Sequence, residues 1–304
     1  MSPGEITDRL NATLTQHGFK STIVSAGHIP ELRGPIRDSL EAGLIPDAVY
    51  RRHASYFDKM LDQDASWARS IIVVAIPRPV LKVGFVVDGQ RRETLIPPTY
   101  EHSIDKVVTA AIESELTTRG YRTMWAMLPL KLLAVCSGLA RYGRNNIAYV
   151  EGMGSILRFN AFYSDLPPVS DTWHEPQVLD ECTKCSACIN KCPAGAIDPN
   201  RFQLRVERCL TYHNESSESF PSRIQESWHH CLIGCMRCQQ SCPVNKTIRS
   251  RAERFAEFTD TETALLLSGV TKEELPPALI AKFGITDLLD DPVGLARNLR
   301  AVLE

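Results

Sequence analysis

"CTKCSACINKCPAGAI" (residues 182–197) and "CLIGCMRCQQSCPVNK" (231–246) hold eight of the ten cysteines in a chain of 304 residues. In the first run Cys182, Cys185, Cys188 and Cys192 are separated by two, two and three residues, and Pro193 follows. This is the bacterial ferredoxin run, in which the fourth cysteine ligates the other of two [4Fe–4S] clusters. The first three cysteines can wrap one face of a cubane, whereas the fourth opens a segment that leads away. The second run offers Cys235, Cys238 and Cys242, followed by Pro243. The pattern assigns Cys182, Cys185, Cys188 and Cys242 to a first cluster. Cys192, Cys235 and Cys238 then go to a second, whose remaining ligand is Cys209 or Cys231. A pair of four-thiolate zinc sites would use the same residue type, but the spacing and the terminal prolines favour iron–sulfur. Cys136 lies in an apolar helix and reads as a small buried hydrophobe.

The surrounding chain is that of an ordinary globular protein, 43% hydrophobic and 23% charged, with a net charge of −2. That balance carries no footprint for nucleic acid or an anionic membrane. "MSPGEITDRLNATL" has neither the charged and apolar regions of an export signal nor twin arginines, and no apolar run is long enough to span a bilayer. A cytoplasmic location without membrane contact is expected, where clustered cysteines read as metal ligands rather than disulfides.

Residues 4–20 predict an amphipathic helix ending near Gly18. "SIIVVAIPRP" (70–79) predicts a buried strand, and Asp88-Gly89 a hairpin turn. Residues 101–121 predict a helix capped at Gly120. "KLLAVCSGLARYGRNNIAYV" starts as a helix and breaks at its glycines, and 155–168 predict a strand ending at a proline pair. These elements suggest an α/β layer over 1–175. A loop-rich cysteine domain with short helices covers 176–246. Residues 247–304 are expected to be helical, as "AERFAEF", "ETALLLSG", "TKEELPPALIAKFG" and "GLARNLRAVL". "KTIRSRAER" (246–254) reads as a solvated basic helix face.

With the cysteines, three stretches resemble the cobalamin-dependent epoxyqueuosine reductases and their relatives, the reductive dehalogenases. "SGLARYGRNNIAYVEGMGSILRFNAFYSDLPP" (137–168) is similar to their corrinoid-binding stretch, "ARSIIVVAIPRP" to their first core strand, and "RCLTY" (208–212) to an isolated motif between their two cysteine runs. The last points to Cys209 as the eighth thiolate. The resemblance covers about residues 45–290. It implies an α/β (α+β) corrinoid-binding domain, a ferredoxin-like domain with two [4Fe–4S] clusters and a short helical C-terminal tail. It also implies a cobalamin bound base-off without a protein axial ligand, and clusters that reduce cobalt to Co(I). Gly138, Tyr142, Gly143, Arg144, Asn145, Gly154 and Ser155 are the candidate corrinoid residues. A low-potential ferredoxin or flavodoxin would supply electrons.

The sequence departs from the epoxyqueuosine reductases in two places. Their acidic residue three positions ahead of a proline falls on Ala126, counted back from Pro129. Their helical-repeat segment that engages tRNA has room here for its first helices only. A small-molecule substrate is therefore expected instead of tRNA. "YGRNN" leans toward the dehalogenases, where a tyrosine with a basic partner protonates a carbanion. Tyr142 with Arg144 is the candidate catalytic pair, the cation being expected to lower the phenol's pKa. An iron–sulfur electron carrier serving a partner is the alternative. His213, His229 and His230 flank the cysteines and read as shell residues.

Overall fold

The computed structural model describes residues 1–54, 64–248, 252–284 and 286–304. The chain forms two compact units assembled from interleaved segments. The first comprises Met1–Pro77, Ile104–Ser186 and Pro199–Leu204, the second Arg78–Ser103, Ala187–Asp198 and Arg205–Glu304. The cysteine segment contributes to both.

The first unit is built on strand β2 (Ser70–Pro77), whose run "SIIVVAIP" is buried from Ser70 to Ile76. It pairs antiparallel with β1 (Lys20–Ser25) on one side and β8 (Leu157–Ser164) on the other. Strand β5 (Thr123–Trp125) completes the order β1-β2-β8-β5. Side chains alternate across a strand, so the apolar run serves two cores. Ile72, Val74 and Ile76 join the helix Pro3–Gln16 and the helix Ser103–Leu116. Ile71, Val73 and Ala75 pack with the helix Leu130–Cys136. The first of these helices starts at a capping box of Ser2 and Glu5 with Pro3 next to it. The second runs into a 3₁₀ turn that ends at left-handed Gly120, φ +84°. Strands β6 (Arg141–Tyr142) and β7 (Ala148–Tyr149) form a small hairpin after it.

In the second unit β3 (Val80–Val87) and β4 (Gln90–Ile96) form the expected hairpin. Its turn residues Asp88 and Gly89 have φ of +50° and +73°, as a type I′ turn requires. "AERFAEF", expected as a helix, is instead strand β9 (Ala252–Phe258), parallel to β3. Its register opposes Lys82 to Arg254 and Val83 to Ala256, so Phe255 is an extra residue. Such a bulge breaks the two-residue alternation that would have marked a strand. Phe258 stacks on Phe85 and Phe283, at 4.9 and 4.8 Å between ring centroids. The helices Asp260–Leu267, Pro277–Lys282 and Pro292–Leu303 close this core and agree with the helical reading of the tail. In the basic stretch, 252–254 belong to β9, and 249–251 lie outside the described residues. The cysteine segment carries the short helices Ala187–Lys191, Leu210–Asn214 and Arg237–Gln240 among loops. Among the described residues no helix is long and apolar enough to cross a membrane.

Candidate active site and cluster ligands

Cys192, Cys209, Cys235 and Cys238 all belong to the second unit. The helix Ala187–Lys191 packs on the helix Arg237–Gln240, and Ser241 Oγ donates to the Ala187 carbonyl at 3.5 Å. Burial, together with the neighbouring Cys209 and Cys192, pushes the Cys235 thiol up to about 11. Burial also raises the Cys209 thiol, with Cys192 beside it, although the backbone N–H groups of Thr211 and Tyr212 act in the opposite direction. The Cys192 sulfur accepts from the Ala196 N–H at 3.3 Å. Thiols gathered this way give up their protons to a metal centre, and N–H donors on the sulfurs suit an iron–sulfur cluster. Cys231 is buried, and its raised thiol has Cys235 as its cysteine neighbour. Cys209 has both Cys192 and Cys235 as neighbours. Among the described residues no three His, Cys, Asp or Glu side chains close on a single metal-ion position. In a cubane each thiolate binds its own iron.

Of the other ligand set, Cys182 and Cys185 belong to the first unit and Cys188 and Cys242 to the second. Cys182 is held by Arg144. The Arg144 backbone N–H donates to Cys182 Sγ at 3.4 Å, and its Nη2 donates to the Cys182 carbonyl at 2.8 Å. The β6 strand prepares this contact. The Tyr142 N–H donates to the Gln177 carbonyl, and the Leu179 N–H donates to the Tyr142 carbonyl, each at 2.8 Å.

Within the first unit lies a cavity of about 520 Å³, whose wall includes Ile36, Pro129, Leu130, Tyr142, Val178 and Phe202. Ser39, Lys131, Asn146 and Gln203 are its polar lining, and no carboxylate lines it among the described residues. A neighbouring cavity of about 390 Å³ shares Val178 and Phe202 and adds Arg144, Asp180, Cys182, Thr183, Asn200 and Arg201. Burial, helped by Cys136, pushes the Tyr142 phenol upward. This reverses the expected lowering; burial is the main cause, and the Arg144 guanidinium bonds the Cys182 carbonyl. Ala126 is buried in the apolar core.

Of the expected corrinoid residues, Tyr142 lines the larger cavity and Arg144 the smaller. The others meet partners within the chain. Gly138, φ +78°, ends the helix Leu130–Cys136 and faces Thr172 and His174. At Gly143 a Cβ would lie 2.5 Å from the Tyr149 ring and 2.6 Å from Asn145 Oδ1, so only glycine fits. Asn145 donates to the Tyr149 hydroxyl at 3.0 Å. Gly154 bridges to Val150, and Ser155 is buried beside it. His213 Nε2 is 3.0 Å from the Glu207 carbonyl. Burial lowers His229 and His230 to about 4, which leaves both neutral.

Two features escaped the sequence reading. The 35–45 and 202–203 segments complete the larger cavity without any motif. His28 stacks on Trp173 at 4.5 Å, with Nδ1 2.6 Å from Glu31 and Nε2 2.7 Å from Asp171. No spacing along the chain signals that cluster, since its members are about 140 residues apart.

Residues 181–245 match the family described as the 4Fe-4S double cluster binding domain. The epoxyqueuosine reductase of Staphylococcus aureus is 26% identical over 223 residues, which are 70% of this chain and 55% of that protein. That of Francisella cf. novicida is 32% identical over 114 residues, 37% of this chain and 31% of the other. The chain is similar to the epoxyqueuosine reductases. It therefore aligns with roughly a third to a half of the length of these two relatives. The fold is also that of solved epoxyqueuosine reductases. The Streptococcus thermophilus structure gives a TM-score of 0.68 at 16% identity, covering 98% of this chain and 80% of that one. The Bacillus subtilis structure gives 0.66 at 18% identity, covering 99% and 82%.

Proposed function

We propose that the chain is a cytoplasmic reductase that uses two [4Fe–4S] clusters and a cobalamin to reduce a small molecule held in the 520 Å³ cavity. The carrying observation is that Tyr142, at the end of β6, lines this cavity while Arg144, two residues on in the turn that follows, holds Cys182. The first cluster takes Cys182, Cys185, Cys188 and Cys242, and the second Cys192, Cys209, Cys235 and Cys238. Electrons come from a low-potential ferredoxin or flavodoxin.

Arg144, on the wall of the smaller cavity, offers the corrinoid one specific contact. The Arg144 Nε–H is buried and meets no acceptor among the described residues, and an amide or phosphate oxygen of the cofactor would satisfy it. A bound cobalamin supplies a low-valent cobalt centre, and the protein contributes position and electrostatics. Tyr142, kept protonated by burial, donates a hydrogen bond into the cavity and yields its proton to a strongly basic centre formed on substrate. Lys131 gives the rim a cation. With Ala126 in place of an acid and an apolar wall, the site suits a small substrate rather than a tRNA base.

The test is anaerobic purification with added cobalamin, followed by iron, sulfide and cobalt analysis. About eight irons and one cobalt are expected from two four-iron clusters and one corrinoid. Eight irons without retained cobalt would overturn the reading and leave an electron carrier. Homology favours a second reading, a true epoxyqueuosine reductase whose acid lies elsewhere. Queuosine missing from the tRNA of a deletion strain would establish it.

A further inference from the structure

Arg144 makes two contacts with one cluster ligand. Its backbone N–H meets the Cys182 sulfur at 3.4 Å, and its guanidinium meets the carbonyl of the same residue at 2.8 Å. The side chain is half-buried, which weakens screening of its charge. Arg141, three residues earlier on β6, differs. It is exposed and paired with Asp180, whose side chain is also exposed, at 3.3 Å.

One-electron reduction adds a negative charge to a cluster. A donor on a ligand sulfur and a fixed cation beside that ligand both stabilise the reduced form more than the oxidised one. We propose that Arg144 is a positioning residue that sets the reduction potential of the cluster bound by Cys182, holding it above that of the same cluster without the guanidinium. The proposal rests on the iron–sulfur part of the reading above and is independent of the corrinoid. Arg144 thereby links the wall of the cavity to the ease with which electrons reach it.

The experiment is an EPR-monitored dithionite titration of the full-length, cluster-loaded protein as wild type, R144Q, R144K and R141Q. In R144Q, with about eight irons retained, one of the two cluster midpoints moves to a more negative potential and the other stays. R144K keeps a cation but loses the planar fork, and shows a smaller shift of the same cluster in the same direction. R141Q leaves both midpoints in place, because its charge is solvated. If R144Q fails to retain iron, R144K decides. No shift in an iron-replete Arg144 variant would overturn the proposal, as would equal shifts of both clusters or an R141Q effect as large as that of R144Q. Iron analysis separates these outcomes from failure of the cluster assignment, which would show as fewer than eight irons.

Discussion

Tyr142 is the side chain on which the proposed chemistry turns, and its environment makes it a proton reservoir rather than an ionised group. Y142F is expected to retain its iron and cobalt yet lose about 10²- to 10⁴-fold in turnover, the span of general acid catalysis, as metal analysis and single-turnover assays would read. Gly143 is constrained by its neighbours. G143A forces the Tyr149 ring and Asn145 to shift and should cost about 1–3 kcal/mol as overpacking, visible as a lowered thermal midpoint. At His28, burial pulls the pKa down, but the hydrogen bonds to Glu31 and Asp171 outweigh it and leave it above the ordinary value of 6.5. A raised folded-state pKa stabilises the fold fully below pH 6.5, and the contribution fades as pH rises through the raised value. The difference in melting temperature between wild type and H28Q should therefore be largest in acid and shrink toward alkaline pH. The cluster cysteines were legible in the sequence because their spacing is local. The direction of the Tyr142 shift was not, because it follows from burial, which only the folded packing decides.

Elements show the same contrast between local and distant causes. The β2 strand, the Asp88-Gly89 turn and the helix stops at Gly18 and Gly120 are written in contiguous residues, and each appears where the sequence puts it. Strand β9 has no such local signature. Its apolar positions 252, 255 and 256 fit a helical face, and the partner that makes it a strand lies in residues 80–87. Phe258 anchors this pairing, 1% exposed between Phe85 and Phe283. F258A should cost about 3–5 kcal/mol. Chemical denaturation followed by circular dichroism would measure it, and a loss below 1 kcal/mol would mean that β9 does not hold this core. The short cysteine helices were foreseen only as short and loop-bound. Ligation rather than helix propensity fixes such pieces, because helices of four or five residues do not persist alone.

At the scale of the whole molecule, the contacts that define the second unit join residues 78–103 to 205–304. A fragment of residues 176–304 keeps most of the cluster cysteines' surroundings but lacks β3 and β4. That leaves β9 unpaired and Leu266, Leu279 and Leu299 without the apolar sheet that covers them. It should be insoluble or unfolded by circular dichroism, whereas adding residues 78–103 in trans should restore measurable order. Sequence reading divided the chain into consecutive blocks because motifs and periodicity are read along it. Interleaving is a property of pairing and is invisible in composition. It also sets an order of events on the ribosome. The four strands of the first unit's sheet have all been made once Ser164 has been added. The β3–β4 hairpin, finished at Ile96, must wait through roughly 150 further residues for β9, about eight to thirty seconds at typical rates of synthesis. Throughout that interval an apolar strand edge stands open on the nascent chain. Cluster insertion into the second unit is thus a late event, and the open edge is where a chaperone would act during synthesis.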